Sequence, residues 1–236
     1  MNTMKKAIFI TFLTYKSAFI FALNIPLMKY KKPYYYDDRI HNVGNIGIGG
    51  WLHATVSPFA TKMIDDIRYD GYNIREEIID RYVNDFNSKF KNRPKIIDLC
   101  CGVGISTYHN STGIDSSIQM IEKAKKISKE ENSNKKFIFG NAEIYGKDNE
   151  FDCATIMFAM HEIPDYGHIN IIENCKRISK YNIIIVDISP NYKPSKLMLT
   201  GEPYLNKYLD NFDKFMNSEG FNYLELIEDH VRIWYY

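Results

Sequence analysis

The chain has 236 residues, 45% of them hydrophobic and 25% charged, a balance that suits one α/β domain with an extension and excludes disordered, collagen-like and coiled-coil proteins. Lys and Arg number 30 against 29 Asp and Glu, a net charge of +1, so there is no global basic excess to hold a nucleic-acid backbone and no nucleic acid is expected as a partner. A mean hydropathy of −0.34 excludes a multi-span membrane protein. The four cysteines, Cys100, Cys101, Cys153 and Cys175, include no CxxC pair and no histidine at zinc spacing, so they read as small, reduced interior residues and no metal site is expected around them.

Residues 1–30 form an apolar N-terminal segment. Lys5 and Lys6 precede the run Ala7–Met28, which is long enough on paper to span a bilayer. Lys16 in its middle and Asn24 and Pro26 near its end argue the other way, since a central lysine costs about 2.5–3.5 kcal/mol on insertion scales. Two readings follow: a signal or anchor that takes the protein to a membrane, with a cleavage point near Ser17-Ala18 in the signal case, or an extension packed on a cytoplasmic domain.

Residues 31–93 read as an N-terminal loop followed by helices. Tyr34–Tyr36 and the glycine-rich stretch His41–Trp51 lack the strand-before, helix-after context of a phosphate loop and read as a connection with turns. Leu52, Val56, Phe59, Ala60, Met63, Ile64 and Ile67 recur at helical spacing, predicting a helix from Leu52 whose first turn Pro58 interrupts. A second helix is predicted over Asn73–Phe90. Together with Ser189–Tyr204, the stretch Tyr34–Trp51 is expected to cover a substrate as a lid. Met198, Leu199, Tyr204 and Tyr208 would then be its apolar lining or, equally, core contacts of the last helix.

Over residues 94–236 short apolar runs alternate with helical stretches, the signature of βαβ units. Strands are predicted at Lys95–Leu99, Gly113–Asp115, Lys136–Phe139, Asp152–Phe158, Tyr181–Asp187, Tyr223–Glu228 and Val231–Tyr235. Helices are predicted at Val103–Tyr108, Ser117–Lys129, His168–Ile178 and Leu205–Ser218. Only Asp229-His230 joins the last two strands, which makes them an antiparallel hairpin. The expected fold is α/β, a Rossmann-like seven-stranded and mostly parallel sheet with a C-terminal antiparallel hairpin, helices on both faces and an N-terminal helical extension.

The chemistry concentrates where Ile96–Leu99 runs into a turn with glycine at alternate positions, Gly102 and Gly104. Glycine lets the chain turn sharply and lets a ligand press against it. Eleven residues on, Asp115 ends the next strand, the place where such folds bind the two hydroxyls of a ribose. The alternative for Asp98 and Asp115 is helix capping.

Asp98-Leu99-Cys100-Cys101-Gly102-Val103-Gly104 resembles the DxxxGxG signature of class I S-adenosylmethionine-dependent methyltransferases, of the small-molecule, type 11/25-like kind. Gly113–Ile121, Phe139–Glu143 and Phe151–Phe158 resemble three further motifs of that family, in the same order. The resemblance covers about residues 74–236. It implies S-adenosyl-L-methionine as cofactor: Asp98 near the methionine ammonium, Cys100, Gly102 and Gly104 against methionine and ribose, Asp115 on the ribose hydroxyls, Ser116 and Met120 near adenine, Asn141 and Ala142 at the adenine edge, Phe158 beside methionine. Asn141 departs from the usual Asp, and Ser179–Asn182 replaces the usual turn before the fifth strand. Nicotinamide-binding proteins instead want a third glycine, where Thr107 stands here.

Methyl transfer to such an acceptor is an in-line displacement, and a base is needed only where the acceptor holds its proton tightly. His161 and Glu162, after the fourth strand, are the candidate pair, with capping of the next helix as the alternative; their spacing does not suit zinc. The expected acceptor is a small molecule, with a lipid or quinone-like one favoured by the apolar walls. The other class of function in view is a catalytically inactive binding or regulatory protein on the same fold.

Overall fold

The structure is a computed structural model and describes residues 33–236. The readings made for residues 1–30 lie outside the described residues. Seven strands form one sheet in the order β3-β2-β1-β4-β5-β7-β6: β1 Ile96–Leu99, β2 Thr112–Asp115, β3 Lys136–Phe139, β4 Phe151–Met157, β5 Ser179–Ile188, β6 Asn222–Ile227 and β7 Val231–Tyr235. The first five pair in parallel, and β7 runs against both β5 and β6. The predicted hairpin and the mostly parallel sheet are both present.

Among the described residues six α-helices accompany the sheet: α1 Gly47–Arg68, α2 Ile74–Phe90, α3 Ile118–Glu130, α4 Asp165–Ile178, α5 Lys196–Gly201 and α6 Leu205–Ser218. The two-residue period of the central strands separates two cores. Ala154, Ile156, Ile183 and Ile185 turn to one face, where α4 and α6 bury Ile171, Cys175, Tyr208 and Phe212 against Trp234. Cys153, Met157, Ile184 and Val186 turn to the other, against Ile74, Ile79 and Val83 of α2. With both faces covered, β4 and β5 are almost continuously apolar. Side-chain oxygens cap three helices: Asn73 accepts from Glu76 N–H, Ser117 from Met120 N–H and Ser195 from Met198 N–H.

Two local expectations are corrected. No helix follows the glycine turn: residues 102–106 form turns and bends and 107–108 are irregular, because Ser106 and Thr107 turn their hydroxyls onto Asp98 and hold the segment down. The glycine-rich stretch is not all loop, since α1 begins at Gly47 and runs for 22 residues with Pro58 in its interior. Its glycines serve close packing: a Cβ on Gly49 would lie 1.6 Å from the Val43 carbonyl oxygen, and one on Gly50 2.5 Å from that of Asn45. Within Ser189–Tyr204, the segment expected to form part of a lid, lies the short helix α5.

Candidate active site

A cavity of about 970 Å³ opens beyond the carboxyl ends of β1, β2 and β4. The first of its walls follows from the sequence motif. Cys100 and Gly102 have φ of +57° and +53°, so the chain leaving β1 doubles back and turns its peptide groups toward β2. Gly102 N–H donates to Asp115 Oδ2 at 2.9 Å, and Ser117 N–H donates to Asp115 Oδ1 at 2.8 Å. A Cβ on Gly102 would meet nothing within 4 Å; the space above it belongs to the cavity. Gly104, with φ +84°, is needed for a different reason: a Cβ there would stand 2.4 Å from the Phe137 ring.

Asp115 lines the cavity with Ser116 and Met120, and Asn141, Ala142, Cys100 and Phe158 line it as well. Burial raises the Asp115 carboxyl to about 6, against the two N–H bonds that favour its charged form. Asn141 Oδ1 accepts Glu143 N–H at 2.9 Å, which fixes the amide at the cavity edge. Phe158 holds φ +55°, a conformation uncommon outside glycine and concentrated at functional sites. The Arg75 guanidinium lies 4.4 Å from its ring centre and is itself paired to Asp65 at 2.9 Å.

Asp98 and Gly104 are not among the lining residues. Asp98 is 1% exposed and accepts three hydroxyls: Ser106 at 2.9 Å and Thr107 at 2.7 Å on Oδ2, and Thr155 at 3.1 Å on Oδ1. Its two oxygens tie β1, the glycine turn and β4 together behind the cavity wall. From that position Asp98 holds the turn in place from behind the wall.

The far end of the cavity is polar. His161 and Glu162 both line it, but they are not partners of each other. His161 Nδ1 meets Asp187 Oδ1 at 2.6 Å, and His161 N–H donates to Asp187 Oδ2 at 3.1 Å. Asp187 is fully buried near the end of β5. Burial disfavours charge on His161, but Asp187, by charge and hydrogen bond, and more distantly Glu162 and Glu202 raise it to about 9. Glu162 Oε1 lies 3.0 Å from His41 Nε2, and His41 Nδ1 lies 2.9 Å from Glu202 Oε1. Burial opposes a charged His41 ring, yet the two carboxylates outweigh it and raise it to about 11. His53 packs against His41 with ring centres 3.9 Å apart, its Nδ1 2.8 Å from Asn45 Oδ1. Burial and the charge on His41 lower His53 to about 4.

His41, His53, Asp187 and Glu202 were not singled out from the sequence. Each stands alone among apolar or turn residues, and only the return of 34–69 and 188–204 to the same sheet end brings them to Glu162. Tyr34, Ile40, Leu52, Val56, Ala60 and Ile64 add apolar wall, beside the more polar Ser57, Thr61, Arg68 and His230. Met198 lines the cavity, while Tyr208 is buried in the core with its hydroxyl donating to the Ile188 carbonyl at 2.8 Å.

Residues 96–182 match a family described as "Methyltransferase domain". Demethylmenaquinone methyltransferases of Staphylococcus aureus strains MRSA252 and JH9 are 38% and 40% identical to this chain over 84 residues, 30% of the chain. The chain spans about a third of the length of these curated relatives, 34%. Among solved structures, WbdD aligns with a TM-score of 0.54 at 13% identity, over 69% of this chain and 39% of that one. The plantazolicin methyltransferase BamL aligns with a TM-score of 0.51 at 19% identity, over 78% and 92%. Among the described residues no helix is long and apolar enough to cross a membrane. Local sequence and sheet topology thus agree: residues 96–182 match a methyltransferase domain, and they lie on a Rossmann-like sheet.

Proposed function

We propose that the protein is an S-adenosylmethionine-dependent methyltransferase acting on a small, apolar, quinone-like acceptor. The observation that carries the cofactor reading is Asp115. It is a carboxylate held by two backbone N–H groups at the mouth of a cavity, with free lone pairs beside a glycine whose missing Cβ leaves room for a ligand. A ribose diol offers the two hydroxyl donors such a carboxylate takes. Asn141 and Ala142 stand where an adenine edge would be read, Cys100, Ser116, Met120 and Phe158 supply close apolar and polar wall, and Asp98 keeps the turn in place from behind.

S-adenosylmethionine, when bound, supplies an activated methyl group on a sulfonium. The chain's own work is alignment, exclusion of water and removal of the acceptor's proton. The apolar walls contributed by Leu52, Val56, Ala60 and Ile64 of α1 exclude water and favour an apolar ring system. The size of the cavity falls within the range of small-molecule sites. With Nδ1–H on Asp187, the neutral His161 ring turns Nε2 to the cavity as a proton acceptor for a phenol or carbon acid. A bound cation in the same cavity opposes a second positive charge on that ring and so favours its neutral form. Glu162, tied to His41, shapes the polar end. The apolar outer residues of α1, Ile48, Trp51, Phe59 and Ile67, extend the lining outward and support delivery of the acceptor from a lipid phase. On this reading residues 7–28 act as the membrane-directed segment.

The decisive experiment is calorimetric binding of S-adenosylhomocysteine to the full chain and to Asp115→Ala. Micromolar binding that the substitution weakens by about 1.5–3 kcal/mol, the range of a hydrogen bond to a charged group, supports the cofactor. Turnover of demethylated naphthoquinols then tests the acceptor. Absence of binding by the folded protein returns the chain to the class of inactive, partner-binding proteins on this fold.

A further inference from the structure

The polar end of the cavity contains more charge than proton removal by His161 requires. Glu162 and Glu202 stand on either side of one imidazole, His41, and one ligand-type atom from each of the three lies within 4.8 Å of the others. Glu202 is 8% exposed, and its Oε2 is fully buried without a hydrogen-bond partner. A carboxylate oxygen in that situation normally has a donor or a cation beside it. His41 is fixed where it is by an unusual backbone, with φ +51° at His41 and +61° at Asn42, and such outliers persist where surrounding structure holds them for a purpose. His53 packs on His41 and has its Nδ1 tied to Asn45 Oδ1.

From this geometry we infer that His41, Glu162 and Glu202 form a divalent transition-metal site at the acceptor end of the cavity, with His53 beside it. A common ion about 2.0–2.2 Å from each ligand sets its ligands roughly 3.0–4.4 Å apart. The 3.0 Å between His41 Nε2 and Glu162 Oε1 already meets that requirement, and no pair of the three ligand atoms is more than 4.8 Å apart. On binding, the proton that His41 shares with a carboxylate leaves to solvent, and the metal takes its place between ring nitrogen and oxygen. The buried Oε2 of Glu202 gains its missing partner. One imidazole with two carboxylates suits manganese, iron or zinc over calcium, which takes oxygen alone. An acceptor oxygen bound to such an ion would release its proton more readily, toward the neighbouring His161. Local spacing hides the site, because its ligands come from positions 41, 162 and 202.

The inference stands apart from the methyl-transfer reading. The test uses the full chain, dialysed against chelator and then titrated with Zn2+ and, as a spectroscopic probe, Co2+, with bound metal counted by elemental analysis. The expected result is close to one ion per chain at micromolar affinity or better, with Co2+ absorption of a low-symmetry N/O site. Glu202→Gln and His41→Gln should each weaken binding at least tenfold. S-adenosylhomocysteine binding, measured on the same preparations, reports that each variant is folded. Substoichiometric metal on the wild-type chain overturns the inference, as does binding that both substitutions leave unchanged, which would place the ion at surface groups such as His109 and Glu76. Metal binding without S-adenosylhomocysteine binding would instead overturn the methyltransferase reading and leave the metal site standing.

Discussion

Asp98 accepts three hydroxyls at 1% exposure, whereas Asp115 accepts two backbone N–H groups and faces the cavity. The two acids end neighbouring strands, and their surroundings predict opposite consequences of substitution. Asp98→Ala strands the hydroxyls of Thr107 and Thr155 in a dry interior and releases that of Ser106 at the cavity wall, a loss of about 2–4 kcal/mol; denaturant melts should record it as a shift in midpoint with an unchanged slope. Asp115→Ala leaves stability nearly as it was and removes ligand affinity. The raised Asp115 pKa adds a pH dependence whose sign can be worked out. Its folded value of about 6 lies above the ordinary 3.8, so the empty protein gains stability from this group at pH below 3.8 and loses that contribution as pH rises through 6. Ribose hydroxyls need the charged form, so affinity runs the other way. S-adenosylhomocysteine should bind roughly tenfold more weakly at pH 5 than at pH 7, and Asp115→Asn should flatten that profile. An unchanged wild-type profile would remove Asp115 from the binding site.

At the scale of elements, α1 is the piece whose placement the sequence concealed. Its apolar spacing was legible from Leu52 onward, but its first turn is glycine and looks like a loop. Only the packing explains it: Gly49 and Gly50 let the helix begin against the carbonyls of Val43 and Asn45, and Ser117 Oγ then donates to the Asn45 carbonyl at 2.6 Å. That bond joins the start of α1 to the residue that also donates its N–H to Asp115. Gly49→Ala would drive a Cβ into the Val43 carbonyl and push the first turn of α1 off this contact. The sheet and its two cores do not touch that turn, so far-UV circular dichroism and the main melting transition should hardly change. Affinity for S-adenosylhomocysteine should fall severalfold, and turnover of an apolar acceptor should fall further, since Leu52, Val56, Ala60 and Ile64 would move with the helix. A variant with wild-type affinity and turnover would show that the start of α1 does not position the cavity. The reverse error, a helix expected at Val103–Tyr108, has the same origin. The strand–turn–helix pattern favoured it, and the hydroxyl bonds of Ser106 and Thr107 to Asp98 prevailed.

Across the whole molecule the cavity has two ends with different legibility. The end proposed for the cofactor comes from contiguous motifs, each a strand terminus with its turn; Gly102 and Asp115 announce themselves by spacing, whereas Asn141 is legible only through the family resemblance. The acceptor end is assembled from positions 41, 53, 161, 162, 187 and 202, and only tertiary packing brings them together; the sequence pairs His161 with its neighbour Glu162, while the fold pairs it with Asp187. A ligand filling this cavity touches segments 34–69, 100–120, 141–163 and 188–198 at once, so its binding energy should appear as stability of the entire domain rather than of one loop. A ligand at a hundred times its dissociation constant adds about 2.7 kcal/mol to a native state that alone binds it. For a domain of this size each kcal/mol is worth about 2–4 °C, so saturating S-adenosylhomocysteine should raise the midpoint by roughly 5–10 °C in a single transition. Asp115→Ala at the same ligand concentration should lose most of the shift. If the ligand instead splits the melt into two transitions, one ligand-dependent and one not, then the 34–69 segment opens independently of the sheet and the cavity is closed only in part by the fold itself.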